Sequence, residues 1–476
     1  MNRATSGLSD EASGDGRELL LDFHARRGQL RSEMREALRA AIQDGRLRAG
    51  TVLPASRRLA AQLGVSRGVV SDTYDQLVCE GYLELTPRSA PVVAAVAAAT
   101  PAAREPAAPR WRFDFTATTP DVGLFPRRSW ARAVQRAVAA APDASLDYGD
   151  HHGRAELRTA LAKYLGRVRG VRADPARIVV TQGFTQALDL ICHVLAESGR
   201  TTVAMESPSH PGLWVTVRQS GATLAGCPVD ERGLQVDALA GLGPDAVVVA
   251  PAHQFPTGAV MAPDRRLALI EWAQARNRLV IEDDYDAEFR YDRTPVGALQ
   301  GLDPSSVAHV GTVSKTLAPG VRLGWITAPA SLIDGLVARK SAADSGSPAI
   351  DQLAFADLLS SGEYERHIGA TRRAYRRRRD HLVRELTALL PALPVRGAAA
   401  GMQLLLELPS HADDSALAEA AAAQGIKVSP LTPLHLTPSR DRALLVGFGR
   451  LPEHNIPAAV GALASVLNEA GALPPT

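Results

Sequence analysis

The sequence predicts an α+β winged helix-turn-helix domain followed by an α/β domain with a mainly parallel central sheet and a small C-terminal α+β subdomain. Two short helical patterns joined by a Gly-Val turn precede a short β-hairpin pattern, which indicates the first domain. Beyond Trp111, helical patterns alternate with short β-rich runs, which indicates the second domain. At 476 residues the chain is long enough for more than one hydrophobic core.

The composition is that of a globular protein, with 46% hydrophobic and 22% charged residues. The chain has no segment with the pattern of a secretory signal and no apolar run long enough to span a bilayer. We therefore expect a cytoplasmic protein without a membrane partner. The three cysteines are widely spaced, which predicts neither a disulfide framework nor a metal site. The net charge of +2 is too small to indicate nucleic-acid binding by itself.

The N-terminal part divides into a lead-in and a folded domain. Residues 1–18 are rich in serine, glycine and acids without periodicity, which predicts a disordered lead-in. The folded domain is expected over residues 19–93. Its first helix is indicated by apolar residues four positions apart, which lie on one helical face, and by Gly45 as its end. These apolar positions are Leu30, Met34, Leu38 and Ile42.

A helix-turn-helix pattern follows the first helix. Ser56 and Ser66 are predicted to cap two short helices, and Gly64 to supply the left-handed stop of the first of them. Residues 82–86 and 91–93 have strand-forming side chains on either side of a Pro-Arg-Ser-Ala turn. The domain is therefore predicted to be a winged helix-turn-helix.

Residues 94–110 consist mostly of alanine and proline, which predicts a linker between the two domains. The second domain is expected over residues 111–476. A smaller α+β segment, from about Asp344 onward, completes it. The predicted strands of the main sheet lie at residues 178–180, 202–204, 246–249, 279–281, 307–310 and 323–326.

A longer pattern in the first domain carries a family resemblance. It runs through the segments Ile42–Gly50, Leu53–Ala60, Leu63–Arg67 and Glu80–Leu83. Over residues 29–93 the chain resembles the GntR-type winged helix. The resemblance implies DNA contacts from the arginine after the Leu-Pro turn, from the Ser-Arg pair that opens the recognition helix, and from the wing tip. These positions are Arg57, Ser66, Arg67 and Arg88.

The recognition helix indicates DNA binding on physical grounds as well. Its N-terminal turn would face the major groove, where hydroxyls and backbone N–H groups meet phosphate and arginine can read guanine. The exposed candidates in that turn are Ser66, Arg67, Gly68 and Ser71. A double-stranded DNA operator is the expected partner. The alternative is a helical hairpin that serves as a dimerisation or docking arm.

The second domain carries the pattern of a pyridoxal phosphate (PLP) site. Lys315 lies in the segment Gly311–Trp325, downstream of an apolar run that ends in an acidic cluster with Asp283. A lysine that binds PLP covalently needs an acid on the pyridinium nitrogen, and hydroxyls with an arginine on the phosphate. Asp283 matches the acid. The phosphate-binding groups are matched by Thr312, Ser314 and Arg322.

From about Trp111 to its end the chain resembles the fold-type I aminotransferases. Fusion of such a domain to a GntR-type domain resembles the MocR family of transcriptional regulators. The resemblance implies PLP as the cofactor, Lys315 as its Schiff-base lysine, Asp283 as the partner of the pyridinium nitrogen and Tyr285 near the ring O3′. Glu282 and Asp284 are the alternatives to Asp283.

The resemblance also assigns the remaining cofactor contacts. Backbone N–H groups at a strand-to-helix junction would cradle the phosphate, and they belong to Gly183, Phe184 and Thr185. His210 falls on the aromatic position that stacks on the ring, where imidazole covers less of the ring than tyrosine or tryptophan. Tyr148 matches a tyrosine that reaches the phosphate in the partner subunit's site, which implies a homodimer.

Two contacts depart from the family or leave alternatives. Phe255 stands where the family has an asparagine on the ring O3′, and His253 or Gln254 could take over that contact. Arg442 has the spacing of the arginine that binds a substrate α-carboxylate, and a planar guanidinium suits that role. Related subgroups use another register, which falls on Leu445.

The favoured hypothesis is a PLP-dependent regulator that binds DNA and senses an amino acid, an amine or PLP itself at Lys315, with Arg442 as the effector-binding residue. An active PLP-dependent aminotransferase is the alternative. A third possibility is a degenerate domain that serves only as a dimerisation scaffold. The basic run of residues 372–379 lies in a helical pattern, and it is either a solvated helix face or a second DNA contact.

Overall fold

The computed structural model describes residues 30–85, 90–95, 111–292 and 296–472. The chain forms two compact units, Met1–Ala108 and Pro109–Thr476. The predicted lead-in, the linker from residue 96 onward and Arg88 at the predicted wing tip lie outside the described residues. Among the helices of the described part, none has the length and apolar character needed to cross a membrane.

The first unit is a three-helix core with a short antiparallel strand pair. Its elements are α1 (Leu30–Gln43), α2 (Ser56–Leu63), α3 (Arg67–Cys79), β1 (Leu83–Glu84) and β2 (Val92–Val93). Apolar side chains from all three helices and both strands form one buried cluster. The four-residue spacing in α1 places Met34, Leu38 and Ile42 in that cluster, as the sequence predicts. The described residues therefore form the predicted winged helix-turn-helix.

The turn between α2 and α3 has the predicted chemistry, whereas one of the two predicted serine caps is absent. Gly64 ends α2 in the left-handed conformation, with φ 68°. The Ser66 hydroxyl caps α3 by accepting a hydrogen bond from the Val69 N–H. The expected cap at Ser56 is wrong: Ala55 precedes α2, and Ser56 is its first helical residue without a side-chain cap bond.

The second unit is built on one large sheet and one small sheet, with β3 and β14 as a separate parallel pair. Its strands are β3 (Phe113–Asp114), β4 (Ile178–Thr181), β5 (Thr202–Ser207), β6 (Thr223–Asp230), β7 (Gly233–Leu234), β8 (Ala246–Val249), β9 (Leu279–Asp284), β10 (Val307–Thr312), β11 (Gly324–Thr327), β12 (Val395–Arg396), β13 (Gln403–Glu407), β14 (Ile426–Lys427), β15 (Ser429–Pro430) and β16 (Ala443–Gly447).

The large sheet has eight strands in the order β4-β11-β10-β9-β8-β5-β6-β7. The pairs from β10 through β9, β8 and β5 to β6 are parallel, whereas β11 is antiparallel to both of its neighbours. The central strands are buried runs rich in valine and isoleucine, because helices cover both faces of such a sheet. The prediction of a mainly parallel central sheet is thereby confirmed.

Helices pack on the large sheet and join it to the small one. They are α4 (Arg127–Ala140), α5 (Ala155–Arg169), α6 (Phe184–Glu197), α7 (Pro211–Gln219), α8 (Ala238–Leu242), α9 (Pro263–Arg276), α10 (Ala330–Asp344), α11 (Ala349–Ser360), α12 (Glu363–Leu389), α13 (Asp414–Ala423) and α14 (Ile456–Glu469). The small sheet has the order β12-β13-β16-β15 and is antiparallel. A core cluster of its own joins this sheet to α12, α13 and α14.

Candidate functional site

In the first unit, the N-terminal turn of α3 presents polar residues to solvent. Ser66, Arg67 and Gly68 are exposed and Ser71 is half-buried, whereas Val70 of the same turn is buried in the core. The helical period separates these two faces. On α2, Arg57 is also exposed. The predicted DNA contacts among the described residues therefore lie at the surface.

In the second unit, a cavity of about 270 Å³ opens at the carboxyl ends of β5, β8, β9 and β10. Ligands of open α/β sheets bind at this edge, because the loops and helix N-termini that follow the strands converge there. The residues that line the cavity are Thr118, Phe184, Thr185, Met205, Glu206, Ser209, His210, Leu213, Val248, Val249, Ala250, Phe255, Asp283, Tyr285, Thr312, Ser314, Lys315, Pro319 and Arg322.

Lys315 follows β10 and enters this cavity in a mostly buried position. Burial lowers the pKa of its ammonium group, and the carboxylates of Asp286 and Asp283 act in the opposite direction. The net effect is a pKa below the usual range of lysine. A larger share of the amine is therefore neutral, which is the form that attacks a carbonyl carbon.

The three acids at the end of β9 have different surroundings, because successive side chains of a strand point to opposite faces. The Glu282 carboxylate accepts from the backbone N–H groups of Leu299, at 2.8 Å, and Gln300, at 3.1 Å. The Asp284 carboxylate lies against an arginine and a histidine. It contacts Arg169 Nε at 2.7 Å and His309 Nε2 at 2.8 Å. Of the three acids, Asp283 is the one that lines the cavity.

The electrostatics separate Asp283 from Asp284 further. Burial and the neighbouring Asp286 and Asp284 raise the pKa of Asp283 well above its usual range, and Lys315 only partly opposes them. Its Oδ1 is buried and has no hydrogen-bond partner among the described residues. Burial would also raise the pKa of Asp284, but Arg169 and His309 hold it well below its usual range. Asp283 therefore has an unused acceptor in the cavity.

Tyr285 is connected to a buried pair behind the cavity. Its hydroxyl lies 3.1 Å from His253 Nδ1, and the same nitrogen lies 2.8 Å from Asp286 Oδ2. His253 and Asp286 are each 2% exposed. Burial, followed by the charge of Asp286, raises the pKa of the Tyr285 phenol well above its usual range. The phenol consequently keeps its proton.

The groups predicted to hold phosphate meet at one end of the cavity. Gly183 precedes α6 with φ 106°, and a Cβ added there would lie 3.6 Å from the Arg322 guanidinium and 3.7 Å from Thr312 Oγ1. Glycine at this position keeps the space between these groups open. The Thr312 hydroxyl donates to Ser314 Oγ at 3.0 Å. The backbone N–H groups of Phe184 and Thr185 lie in the first turn of α6, where such groups have no acceptor within their own helix and therefore suit an anion.

His210 and Phe255 form the aromatic part of the cavity wall. Their ring centroids are 5.9 Å apart. His210 Nδ1 accepts from the Gly212 N–H at 3.0 Å, which fixes the imidazole at the start of α7. Burial and the nearby Lys315 lower the pKa of His210, so its ring is mostly neutral at neutral pH. A neutral ring can stack on an aromatic ligand without carrying a charge into the cavity.

Two predicted site residues lie elsewhere in the described chain. Tyr148 is 81% exposed and does not line the cavity. Arg442 lines a separate cavity of about 560 Å³, and its Nη1 donates to the carbonyl groups of Ser439 and Asp441. Leu445, the alternative register, is buried in β16. The roles of Tyr148 and Arg442 stay predictions.

Most of the basic run at residues 372–379 contacts the protein itself. Arg372 donates to the Glu288 carbonyl, Arg376 to the Tyr291 carbonyl and Arg379 to the Ala398 carbonyl. Arg378 joins the Gly449 carbonyl to Asp121, and Arg377 lies 3.4 Å from Glu453. Much of this basic character is therefore used to pack α12 against its neighbours, a use that neither predicted alternative included.

Sequence reasoning missed two acids of the site. Glu206 lines the cavity at the end of β5, and burial raises its pKa to about 8. Its carboxyl accepts from the Ala250 N–H at 3.1 Å. Asp286 follows the acidic cluster and reaches His253 across 33 positions of chain. An acid at or shortly after the end of a buried strand was the available signal in both cases, but no local pattern reveals their partners.

The donor set of the cavity fits PLP. The Asp283 oxygen without a partner suits a protonated ring nitrogen, and Lys315 suits covalent attachment. The space above Gly183, with Arg322 and Thr312 beside it, suits a phosphate group. The His210 ring suits stacking on the cofactor. These groups lie on one chain and line one cavity.

Comparisons with known proteins agree with this geometry. Residues 116–456 match the family model of class I and II aminotransferases, and residues 30–93 match that of bacterial regulatory proteins of the gntR family. The chain is 32% identical to the probable rhizopine catabolism regulatory protein MocR of Rhizobium meliloti, over 93% of this chain and 95% of that relative. It is 31% identical to the pyridoxine biosynthesis regulator PdxR of Corynebacterium glutamicum, over 89% of this chain and 93% of that relative.

Among solved structures, the second unit is similar to an archaeal alanine:glyoxylate aminotransferase. The TM-score is 0.70 with 30% identity, over 75% of this chain and 91% of that one. The aminotransferase fold family to which this likeness points is PLP-dependent.

Proposed function

Because this chain belongs to the MocR-type transcriptional regulators of the GntR superfamily, we propose that it senses an amine-bearing ligand through PLP held on Lys315 and transmits that state to DNA binding. The observation that carries the proposal is the cavity. One pocket of a chain with a GntR-type DNA-binding domain contains a lysine of lowered pKa, an unpartnered buried acid and an anion cradle.

The proposed cofactor contacts follow from these side chains. Lys315 holds PLP covalently, Asp283 faces the pyridinium nitrogen and Tyr285 faces the ring oxygen. The phosphate is held by Gly183, Phe184, Thr185, Thr312, Ser314 and Arg322, and His210 stacks on the ring. When bound, PLP supplies an electrophilic carbon that a primary amine can take over from a lysine.

The effector is an amino acid, an amine or PLP itself. A primary amine that replaces Lys315 on the cofactor leaves the lysine free to change its contacts. Arg442 would bind a carboxylate of the effector, which requires the segment that carries Arg442 to approach the cavity. Closure of this kind would couple ligand binding to the arrangement of the protein, provided that the ligand has unequal affinity for the two arrangements.

DNA recognition is assigned to the first unit. Arg67 and Ser66 open the recognition helix, with Gly68 and Ser71 beside them, and Arg57 contacts the backbone phosphates. A homodimer would place two such units on two half-sites of an operator. In that dimer, Tyr148 would reach the phosphate of PLP in the partner's cavity, and its 81% exposure leaves it accessible for such a contact.

A titration of operator-bound protein tests the effector role. PLP-loaded protein is bound to labelled DNA from its own upstream region, and single amines and amino acids are added at constant salt. At least one is expected to change the DNA affinity, together with the visible absorption of the cofactor. Ligands that change the absorption without any change in DNA affinity would contradict the proposal.

An active aminotransferase is the second candidate, because the cavity keeps an acid, a lysine and an anion cradle together. Multiple turnovers of amino transfer from an amino acid to a 2-oxo acid would support it. A single turnover at most, combined with ligand-dependent DNA binding, would favour the regulator.

A further inference from the structure

A buried hydrogen-bond chain leads from Asp286 to the cavity. Asp286 Oδ2 lies 2.8 Å from His253 Nδ1, and the Tyr285 oxygen lies 3.1 Å from the same nitrogen. Tyr285 lines the cavity, whereas His253 and Asp286 lie behind it. One ring nitrogen is thus shared between a carboxylate and a phenol.

The proton positions in this chain follow from donor and acceptor chemistry. A carboxylate accepts hydrogen bonds and has none to donate, so Nδ1 of His253 must carry the proton that Asp286 accepts. A protonated Nδ1 cannot accept from the Tyr285 hydroxyl. The phenol oxygen therefore accepts from Nδ1–H as well, and its own O–H has to point to another acceptor.

Close packing fixes the His253 ring in this orientation. A Cβ added to Gly401 would lie 2.1 Å from His253 Cε1 and 2.8 Å from Asp286 Oδ2, so only glycine leaves room for the pair. Gly401 is itself held by the Tyr291 hydroxyl, which donates to its carbonyl at 2.6 Å. His253 Nε2 is buried without a partner in the described chain, so that side of the ring offers no competing contact.

Few other groups compete for the phenol proton. Phe255 is the neighbouring cavity residue and offers only carbon. Gln403 lies against Tyr285, and its amide lowers the pKa of the phenol, which is the effect of a donor to the phenol oxygen rather than of an acceptor for its proton. The titratable groups around the pair in the described chain include Asp283, Lys315 and Glu206. The remaining direction for the O–H is the cavity.

We propose that Asp286 and His253 are positioning residues that fix the Tyr285 hydroxyl as a hydrogen-bond donor into the cavity, directed at the ring oxygen of PLP. The Tyr285 hydroxyl would thereby supply the hydrogen bond to the ring oxygen that the family's asparagine makes from the position of Phe255. The inference rests on the proposed function, because it concerns the same cofactor site. It assigns roles to two residues that touch no ligand.

The test measures the pH at which the visible band of the PLP-loaded protein shifts. A donor to the ring oxygen stabilises the form in which the attached lysine nitrogen has lost its proton, because the negative charge on that oxygen is then uncompensated. The donor therefore lowers the pH midpoint of the band shift. Removal of the Asp286 charge alone also lowers this midpoint, because the protonated lysine nitrogen loses a nearby negative charge. Loss of the hydrogen bond that the Tyr285 hydroxyl donates to the ring oxygen raises the midpoint.

A double-mutant cycle separates the two effects. Asp286→Leu lets His253 Nδ1 accept from the Tyr285 hydroxyl, so this hydroxyl no longer donates to the ring oxygen. In a Tyr285→Phe background the hydroxyl is absent, and the same substitution removes no donor. We expect the midpoint change caused by Asp286→Leu to differ by about one pH unit between the two backgrounds. His253→Asn, whose amide nitrogen can replace Nδ1, is expected to keep the wild-type midpoint.

Each outcome of this experiment is decisive. Equal changes in the two backgrounds would overturn the inference, since the pair would then act by charge alone. If Asp286→Leu does not fold, Asp286→Ala, which likewise removes the acceptor for His253 Nδ1–H, gives the same cycle. A wild-type protein without a Lys315-dependent band would overturn the proposed function and this inference together, whereas a normal band with additive changes would overturn the inference alone.

Discussion

Single residues of the site differ in role because of their environment rather than their type. Asp283 and Asp284 are adjacent acids on one strand, yet the pKa of the first is raised and that of the second lowered. The alternation of a strand sends one into the cavity and the other against Arg169 and His309. The first is consequently available to a ligand, whereas the second is held by its partners.

Glu206 predicts how stability depends on pH. Its folded-state pKa of about 8 exceeds the ordinary 4.5, so the folded protein binds more protons than the unfolded chain between these values, and stability falls as pH rises through that window. Glu206→Gln removes this loss. We expect the stability advantage of the PLP-free variant over wild type to be roughly 3–4 kcal/mol larger at pH 8 than at pH 5.

Urea unfolding followed by tryptophan fluorescence measures this difference, since all five tryptophans lie in the second unit. Asp283 contributes in the same direction in both proteins and cancels. Glu197→Gln, at an exposed position, is the matched control and should show no such gain. An equal stability difference at both pH values would be inconsistent with a buried, protonated Glu206.

Sequence patterns predict the secondary-structure elements better than the contacts between them. All six predicted runs of the main sheet are strands, because buried valine and isoleucine runs are distinctive. β6 and β7 were missed, since β6 contains glycine, cysteine and proline in a half-buried edge region. The Asp286–His253 pair was missed because distant segments meet only in the folded chain.

The recognition helix α3 leads to a prediction about DNA. Arg67→Ala is expected to weaken operator binding by about 1–3 kcal/mol and to relax specificity, if this side chain reads a base. Arg57→Ala should weaken binding to all DNA sequences similarly and reduce the salt dependence of the affinity by about one phosphate contact. Competition binding at several salt concentrations measures both effects. Arg276→Ala removes an exposed charge from the second unit and should leave both quantities unchanged.

The long helix α12 is predicted to depend on its arginines for stability. Arg378 bridges the Gly449 carbonyl and Asp121, so Arg378→Ala should cost roughly 1.5–3 kcal/mol of unfolding free energy. Arg373 is exposed, and its replacement by alanine should cost much less. Urea unfolding measures both variants. A loss of DNA affinity in Arg373→Ala would instead favour the second DNA contact.

The whole molecule is proposed to be a dimer in which each cavity is completed by Tyr148 of the partner subunit. Lys315→Ala removes covalent attachment, and Tyr148→Phe should weaken PLP binding roughly 10- to 100-fold by loss of one phosphate contact. A mixed dimer of the two variants would contain one cavity with both residues intact. We therefore expect one site of wild-type affinity per mixed dimer.

Differently tagged subunits, co-expressed and purified through both tags, supply that mixed dimer for a PLP titration. If Tyr148 acts within its own chain, the single Lys315-bearing cavity of the mixed dimer will bind PLP as weakly as the Tyr148→Phe protein. That result would remove the proposed contact between subunits.

The proposed regulation depends most on a link between Lys315 and DNA binding. Its most direct test is fluorescence anisotropy on DNA from the upstream region, at constant salt, with PLP-free and PLP-loaded protein. Lys315→Ala is compared with Lys163→Ala, which removes an exposed lysine. We predict a PLP-dependent change in affinity for wild type and Lys163→Ala that is absent in Lys315→Ala. Specific DNA binding with the same affinity in every one of these states would contradict the account.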